Sequence, residues 1–205
     1  MDRHRDIVRR GYDSCATNYR DTRELFQNTK HLEDLARRLD KGARILDLGC
    51  GSGVPVDTYF LERGLEVTGV DISPEQVRLA QERLPGGKFM QGDMSTIDFP
   101  RESFDAVVSF YAIFHIPREE HADLLRRIQG LLRGGGYLLA TMGSGEWEGT
   151  EEDFHGARMF WSHYDREKNL RIVQETGFSI ISEEIDKGQD EKHLVLLAQK
   201  PLDAA

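Results

Sequence analysis

An aspartate followed by alternating glycines, Asp47, Gly49, Gly51 and Gly53, stands directly after the apolar run Arg44-Ile45-Leu46. Glycines at that spacing let the backbone turn sharply and approach a ligand that any Cβ would block. A second carboxylate, Asp71, closes the next apolar run roughly twenty residues on, where an acidic side chain can accept hydrogen bonds from both hydroxyls of a ribose. A third, Asp93 in Gly92-Asp93-Met94, follows the next short run. These positions read as a nucleoside-binding edge. A dinucleotide fingerprint G-x-G-x-x-G would need glycine at position 54, where Val54 stands, so a pyrophosphate cradle is disfavoured. The phosphate loop G-x-x-x-x-G-K-[ST] is absent because no lysine follows the glycines.

Such residues need a parallel sheet to carry them. Arg44 to Leu48, Glu66 to Val70, Lys88 to Met90, Phe104 to Ser109 and Tyr137 to Thr141 have the branched, apolar character of buried strands. Helical spacing resumes at Val54 after the glycine turn, whose N–H groups are expected to face the ligand. Ser73-Pro74-Glu75-Gln76 combines a cap residue, a proline at the first helical position and a glutamine placed to bond back, so a helix should run from Ser73 to about Arg83. Pro117 should open another, with Leu124, Leu125, Ile128, Leu131 and Leu132 on the sheet and Gly134-Gly135-Gly136 ending it. Ahead of the sheet, Val8, Tyr12, Cys15, Ala16 and Tyr19 recur at helical spacing despite Gly11, and a second stripe runs from Leu25 to Leu39. Asp165 is placed to cap a late helix, before strands at Phe178 to Ile181 and His193 to Gln199. The segment from Gly143 to Tyr164 shows no regular element and reads as a long connection of the lid or binding-loop kind. Alternating strands and helices mean a doubly wound α/β sheet.

Composition excludes several classes. At 205 residues the chain fits one domain, and no apolar run is long enough to span a bilayer. The charge of -9 and pI near 5.3 leave no basic footprint for nucleic acid. Met1-Asp2-Arg3-His4-Arg5-Asp6 is too charged for a secretory signal, so a cytoplasmic location is expected. Cys15 and Cys50 form neither a disulfide framework nor a metal cluster, and His155 and His163 lack the helical spacing of a two-histidine zinc site. No metal is expected.

Asp47-x-Gly49-x-Gly51-x-Gly53, with Asp71 and Gly92-Asp93-Met94, resembles the first motifs of the class I S-adenosylmethionine-dependent methyltransferases. The resemblance covers nearly the whole chain. Tyr12-Asp13-x-x-Ala16-x-x-Tyr19 is similar to the lid helix of the small-molecule members, and Leu132-Arg133-Gly134-Gly135-Gly136 to the family's L-x-P-G-G element, with Arg133 in place of proline. It implies a Rossmann-like seven-stranded sheet with the last strand antiparallel, divided into N-terminal lid helices over 1–40, a cofactor core over 41–142, an aromatic substrate lid over 143–164 and a C-terminal helix and strands over 165–205. It also implies S-adenosyl-L-methionine as cofactor. Asp47 would help hold the methionyl amine, Gly49 and Gly51 would admit the cofactor, and Asp71 would bind the ribose. Ile72 would pack on adenine, Asp93 and Met94 would meet its edge and ring, Ser109 would line the sulfonium pocket, and Tyr19 would close over the methionine end.

Methyl transfer from a sulfonium is an in-line displacement in which the cofactor already carries the activated group, so the protein mainly aligns a nucleophile. Orientation can supply about 7 to 11 kcal/mol, against about 100- to 10,000-fold from a general base. If a base is used, His115 after Phe110-Tyr111-Ala112-Ile113-Phe114 stands first and His163 second. The N-P-P-Y and D-P-P-Y elements common in nucleobase and amide methyltransferases are replaced by Ser109-Phe110-Tyr111-Ala112. With the acidic charge, that points to a small metabolite methylated at oxygen or nitrogen. Tyr111, Trp147, Phe160 and Trp161 would suit a planar or partly apolar acceptor. The chain is expected to be a monomer or homodimer, and the competing reading is a cofactor-binding scaffold without turnover.

Overall fold

The branched apolar runs form strands where the sequence places them: β1 Arg44–Leu48, β2 Glu66–Asp71, β3 Lys88–Gln91 and β4 Phe104–Ser109. The computed structural model describes residues 3–23, 29–187 and 192–202. Together with β5 Leu132–Gly143, β8 Ser179–Lys187 and β9 Lys192–Gln199, these strands make one seven-stranded sheet of order β3-β2-β1-β4-β5-β9-β8. Pairing from β3 to β5 is parallel, and β9 runs antiparallel to both its neighbours. This is the doubly wound sheet with an antiparallel last strand.

Side chains alternate across each strand and so feed two cores. Leu46, Leu48 and Val107 pack on one face with α5 His121–Leu131 and α6 Arg166–Glu175, while Ile45, Ala106 and Val108 pack on the other with α2 Thr29–Ala36 and α3 Val56–Leu61. Each fully buried leucine or isoleucine contributes about 1.5 to 3 kcal/mol. Every residue of β4 is buried, which suits the strand at the centre of the sheet. Residues 24–28, where the second apolar stripe begins, lie outside the described residues.

Four local expectations are corrected. The segment from Gly143 to Tyr164 is not structureless: β6 Trp147–Phe154 and β7 Ala157–His163 pair as an antiparallel hairpin. Its turn, His155-Gly156, places both residues in the left-handed region that a tight hairpin needs. β6 has no buried residue and so no apolar pattern to read, whereas β7 begins with Ala157 and Met159 buried around exposed Arg158. Pro117 does not open α5; a 3₁₀ turn at Arg118–Glu120 intervenes, preceded by another at Ile113–His115. Gly134-Gly135-Gly136 lies within β5, where the pairing with β4 shifts register. The strand from Phe178 starts at Ser179 and continues to Lys187.

The helix α4 Pro74–Arg83 is capped by Ser73, whose Oγ accepts from the Gln76 N–H at 3.1 Å. The return bond from Gln76 does not form, because the Ser73 N–H donates to Asp71 Oδ1 at 2.8 Å. The first helix, α1 Arg3–Arg23, crosses the carboxyl ends of the strands and packs on β7 through Val8, Tyr12, Cys15, Met159 and Phe160. Gly11 permits that approach, since a Cβ there would stand 2.8 Å from the Arg158 carbonyl oxygen.

Candidate active site

A cleft opens between the glycine turn, the end of β2, the 92–94 turn and α1. Gly49, Gly51, Asp71, Ile72, Asp93, Met94, Tyr111 and His115 all line it, so most of the sequence-derived set converges. Asp47 and Ser109 do not. Asp47 lies buried behind the glycine turn, and the Ser109 hydroxyl donates to the Leu48 carbonyl at 2.8 Å, tying β4 to β1. The side chain of Tyr19 lies outside the described residues.

The glycine turn works by clearing space more than by donating. The Gly49 and Cys50 N–H groups go to the Val70 carbonyl at 2.8 and 3.1 Å, and the Gly51 N–H goes to Asp71 Oδ2 at 2.9 Å. At Gly49, φ is 81° and a Cβ would collide with the Ala112 methyl. The expectation of N–H groups facing a ligand therefore fails for these three. Asp71 is held by Gly51 and Ser73 with lone pairs left over, and burial pushes its carboxyl up to about 6.

Behind the turn a second buried carboxyl, Asp57 in the first turn of α3, sits beside Asp47 with no donor to either oxygen among the described residues. Burial and the Asp47 charge push the Asp57 pKa well up, so a protonated Asp57 can donate to Asp47. A carboxyl raised above its unfolded value is favourable below that value and becomes a burden as pH rises through the folded one. Asp57→Asn is therefore expected to stabilise the chain by on the order of 1 kcal/mol at pH 8, and by less at pH 5. Urea denaturation at both pH values measures this, and an equal or reversed effect would remove the shared-proton account.

α1 closes the cleft through contacts at three levels. Arg5 bonds Asp93 at 2.5 Å and Ser95 at 2.8 Å and also pairs with Glu120, while Ser73 Oγ donates to Asp13 at 2.7 Å. Between them, Tyr12 OH lies 2.8 Å from His115 Nε2, and His115 Nδ1 lies 2.8 Å from the Phe160 carbonyl oxygen. A carbonyl can only accept, so Nδ1 carries the proton and Nε2 accepts from the tyrosine hydroxyl. Burial lowers the His115 pKa to about 4, which keeps the ring neutral. Arg5, Tyr12 and Gln76 line the cleft but were not singled out as site residues from the sequence. Tyr12 stood in the lid-helix pattern and Gln76 in the capping pattern; Arg5 gave no signal.

Trp147, Trp161 and His163 stand apart from this cleft and line an open outer cavity with Phe114, Lys192 and His193. His163 donates from Nδ1 to the Gly145 carbonyl at 2.6 Å and lines the outer cavity, so the second candidate base is not at the cleft under α1. The Phe160 ring projects from β7 against α1, stacked 4.1 Å from His4, and lines neither cavity, while its carbonyl oxygen bonds His115. The two linings touch through rings: the Trp161 ring centre lies 4.4 Å from that of His115, and the His193 ring centre 4.9 Å from that of Tyr111. Tyr111 forms part of the cleft wall in a left-handed conformation, φ 55°, with its hydroxyl on Asp186 at 2.9 Å. A non-glycine residue there stores about 1 to 3 kcal/mol, and such strain concentrates at functional sites. Among the described residues no group of three or more His, Cys, Asp or Glu is arranged to hold a metal, and no helix is long and apolar enough to cross a membrane.

Sheet order, glycine turn and the carboxylate ending β2 define a doubly wound nucleoside-binding fold. Residues 46–140 match a family model described as a methyltransferase domain. The phthiotriol/phenolphthiotriol dimycocerosates methyltransferase of Mycobacterium leprae is 35% identical over 131 residues, 58% of this chain and 45% of that protein. The 2-methyl-6-phytyl-1,4-hydroquinone methyltransferase of Synechocystis is 36% identical over 106 residues, 50% of this chain and 33% of that one. This chain thus spans less than half the length of these two curated relatives. In fold it is similar to Burkholderia thailandensis 1,6-didemethyltoxoflavin-N1-methyltransferase, solved with 1,6-didemethyltoxoflavin and S-adenosylhomocysteine, with a TM-score of 0.76, 23% identity and coverage of 96% and 88% of the two chains. Over residues 46–140 in sequence, and over nearly its whole length in fold, the chain resembles class I S-adenosylmethionine-dependent methyltransferases.

Proposed function

We propose that this protein binds S-adenosyl-L-methionine in the cleft under α1 and transfers its methyl group to an oxygen or nitrogen of a small metabolite. The observation that carries the reading is the chain Tyr12 O–H, His115 Nε2, His115 Nδ1–H, Phe160 carbonyl, set between the cleft and an aromatic-lined outer cavity. When bound, the cofactor supplies an activated methyl group on sulfur. Asp71 takes the ribose hydroxyls, Ile72, Asp93 and Met94 form the adenine end, and Gly49 and Gly51 leave room for the methionine portion. Asp47, backed by Asp57, sets the potential behind the turn. The acceptor approaches past Tyr111 and Trp161, with its ring system toward Trp147 in the outer cavity.

A nucleophile that gains a methyl group becomes strongly acidic at its own N–H or O–H, so a weak base suffices. The acceptor proton passes to the Tyr12 oxygen as Tyr12 gives its own proton to His115 Nε2, and the Phe160 carbonyl supports the imidazolium that results. The domain boundaries follow: 1–40 as lid, 41–142 as cofactor core, 143–164 as the acceptor hairpin and 165–205 as the closing helix and strands. The test is mass spectrometry of a metabolite extract incubated with purified protein and methyl-labelled cofactor. One or a few small products heavier by the labelled methyl are expected. Tight cofactor binding with no labelled product across extracts and a broad acceptor panel would favour the scaffold.

A further inference from the structure

The Gln76 amide stands at the cofactor cleft without a partner for its donor among the described residues. Gln76 lines the cleft, is 1% exposed, and its Nε2 has no hydrogen-bond partner among them. A glutamine three residues after a serine cap ordinarily bonds back to the cap N–H. Here that N–H is held by Asp71 Oδ1, the carboxylate that also holds the Gly51 N–H through Oδ2. Local structure therefore leaves the amide unsatisfied, in the same corner as Asp71: its Oε1 lies 3.8 Å from where a Cβ would stand on Gly51. A buried amide donor without a partner is destabilising, and such a group persists where a ligand completes it.

Each ribose hydroxyl can donate one hydrogen bond and still accept another. Asp71 only accepts when ionised, so a hydroxyl that donates to it keeps an oxygen lone pair with no protein partner. We infer that Gln76 is a cofactor-binding residue that donates to a ribose hydroxyl whose own proton goes to Asp71, making the pair a two-sided reader of the sugar. This inference rests on S-adenosyl-L-methionine as the occupant of the cleft. It assigns the sugar hydroxyls a donor as well as an acceptor, and so selects against nucleosides that lack the bonded hydroxyl. The energetic signature is an opposition: the amide costs stability in the empty protein and returns affinity in the filled one.

The experiment is isothermal titration of the full chain with S-adenosylhomocysteine and with its 2′-deoxy and 3′-deoxy forms, alongside thermal unfolding of the unliganded protein. Gln76→Met, similar in length and without a donor, is expected to bind S-adenosylhomocysteine about tenfold more weakly. Its loss on one of the two deoxy forms should shrink below about twofold, with a Tm at or above that of wild type. Gln76→Glu, which keeps the shape but offers only acceptors when ionised, should show the same selective loss and serves if the methionine variant misfolds. Affinity within twofold of wild type in both variants overturns the inference, as do equal losses on all three ligands. A wild-type protein that does not bind S-adenosylhomocysteine overturns the cofactor reading itself, before any variant is compared.

Discussion

Asp71→Ala is expected to weaken S-adenosylhomocysteine binding by about 100-fold or more. A hydrogen bond to a charged acceptor is worth about 1.5 to 3 kcal/mol, and the loss of two removes about 3 to 6 kcal/mol, or some two to four powers of ten in affinity. The same substitution frees the Gly51 and Ser73 N–H groups, so the glycine turn and the start of α4 lose their common anchor. Burial of the carboxylate also predicts a pH dependence. Burial raises the Asp71 carboxyl to about 6, while donors from a ribose favour the ionised form and lower its pKa. Affinity should be flat above about pH 7 and fall as the pH drops below about 6, by up to tenfold per unit. Isothermal titration from pH 5 to 8 checks both claims. An alanine variant binding within threefold of wild type would detach the carboxylate from the sugar.

The second large effect is on turnover. His115→Ala should lower kcat by about 100- to 10,000-fold, the range of a lost general base, while the affinity for S-adenosylhomocysteine changes by less than about threefold. The comparison is made once an acceptor is in hand, by initial rates and by titration on the same preparations. Matching losses in both would assign His115 to the fold, where its two hydrogen bonds also tie α1 and β7 to the end of the sheet. Because burial lowers the ring to about 4, the base form persists well into the acid range, and the acid limb of kcat/KM should follow Asp71 and not His115. The depressed value has a stability counterpart. The contribution of the neutral ring is present above the unfolded pKa of about 6.5 and is lost as the pH falls toward about 4.

The sequence was most informative where one physical cause acts locally. The run Arg44 to Leu48 is apolar because both faces of a central parallel strand are covered, and β1 has those bounds. Ser73 and Asp165 cap α4 and α6 as their positions suggest, since a cap needs only a side-chain oxygen and the N–H two or three residues on. The acceptor side was less legible. β6 carries no apolar alternation because none of its residues is buried, so Glu148, Glu151, Glu152 and Asp153 read as a loop. The competition for the Ser73 N–H could not be read from Gln76 itself, because the winner, Asp71, belongs to a different element. The bond from His115 Nδ1 to the Phe160 carbonyl leaves no mark in the sequence, because any residue at that position would supply the same oxygen.

Arg5 and Tyr12 stand seven residues apart on α1, about two turns of one stiff rod. Any tilt that lifts the guanidinium off Asp93, and so unroofs the nucleoside end, also draws the phenol away from the imidazole. Under the proposed function, opening of the nucleoside end and loss of the Tyr12–His115 bond are therefore coupled through one helix.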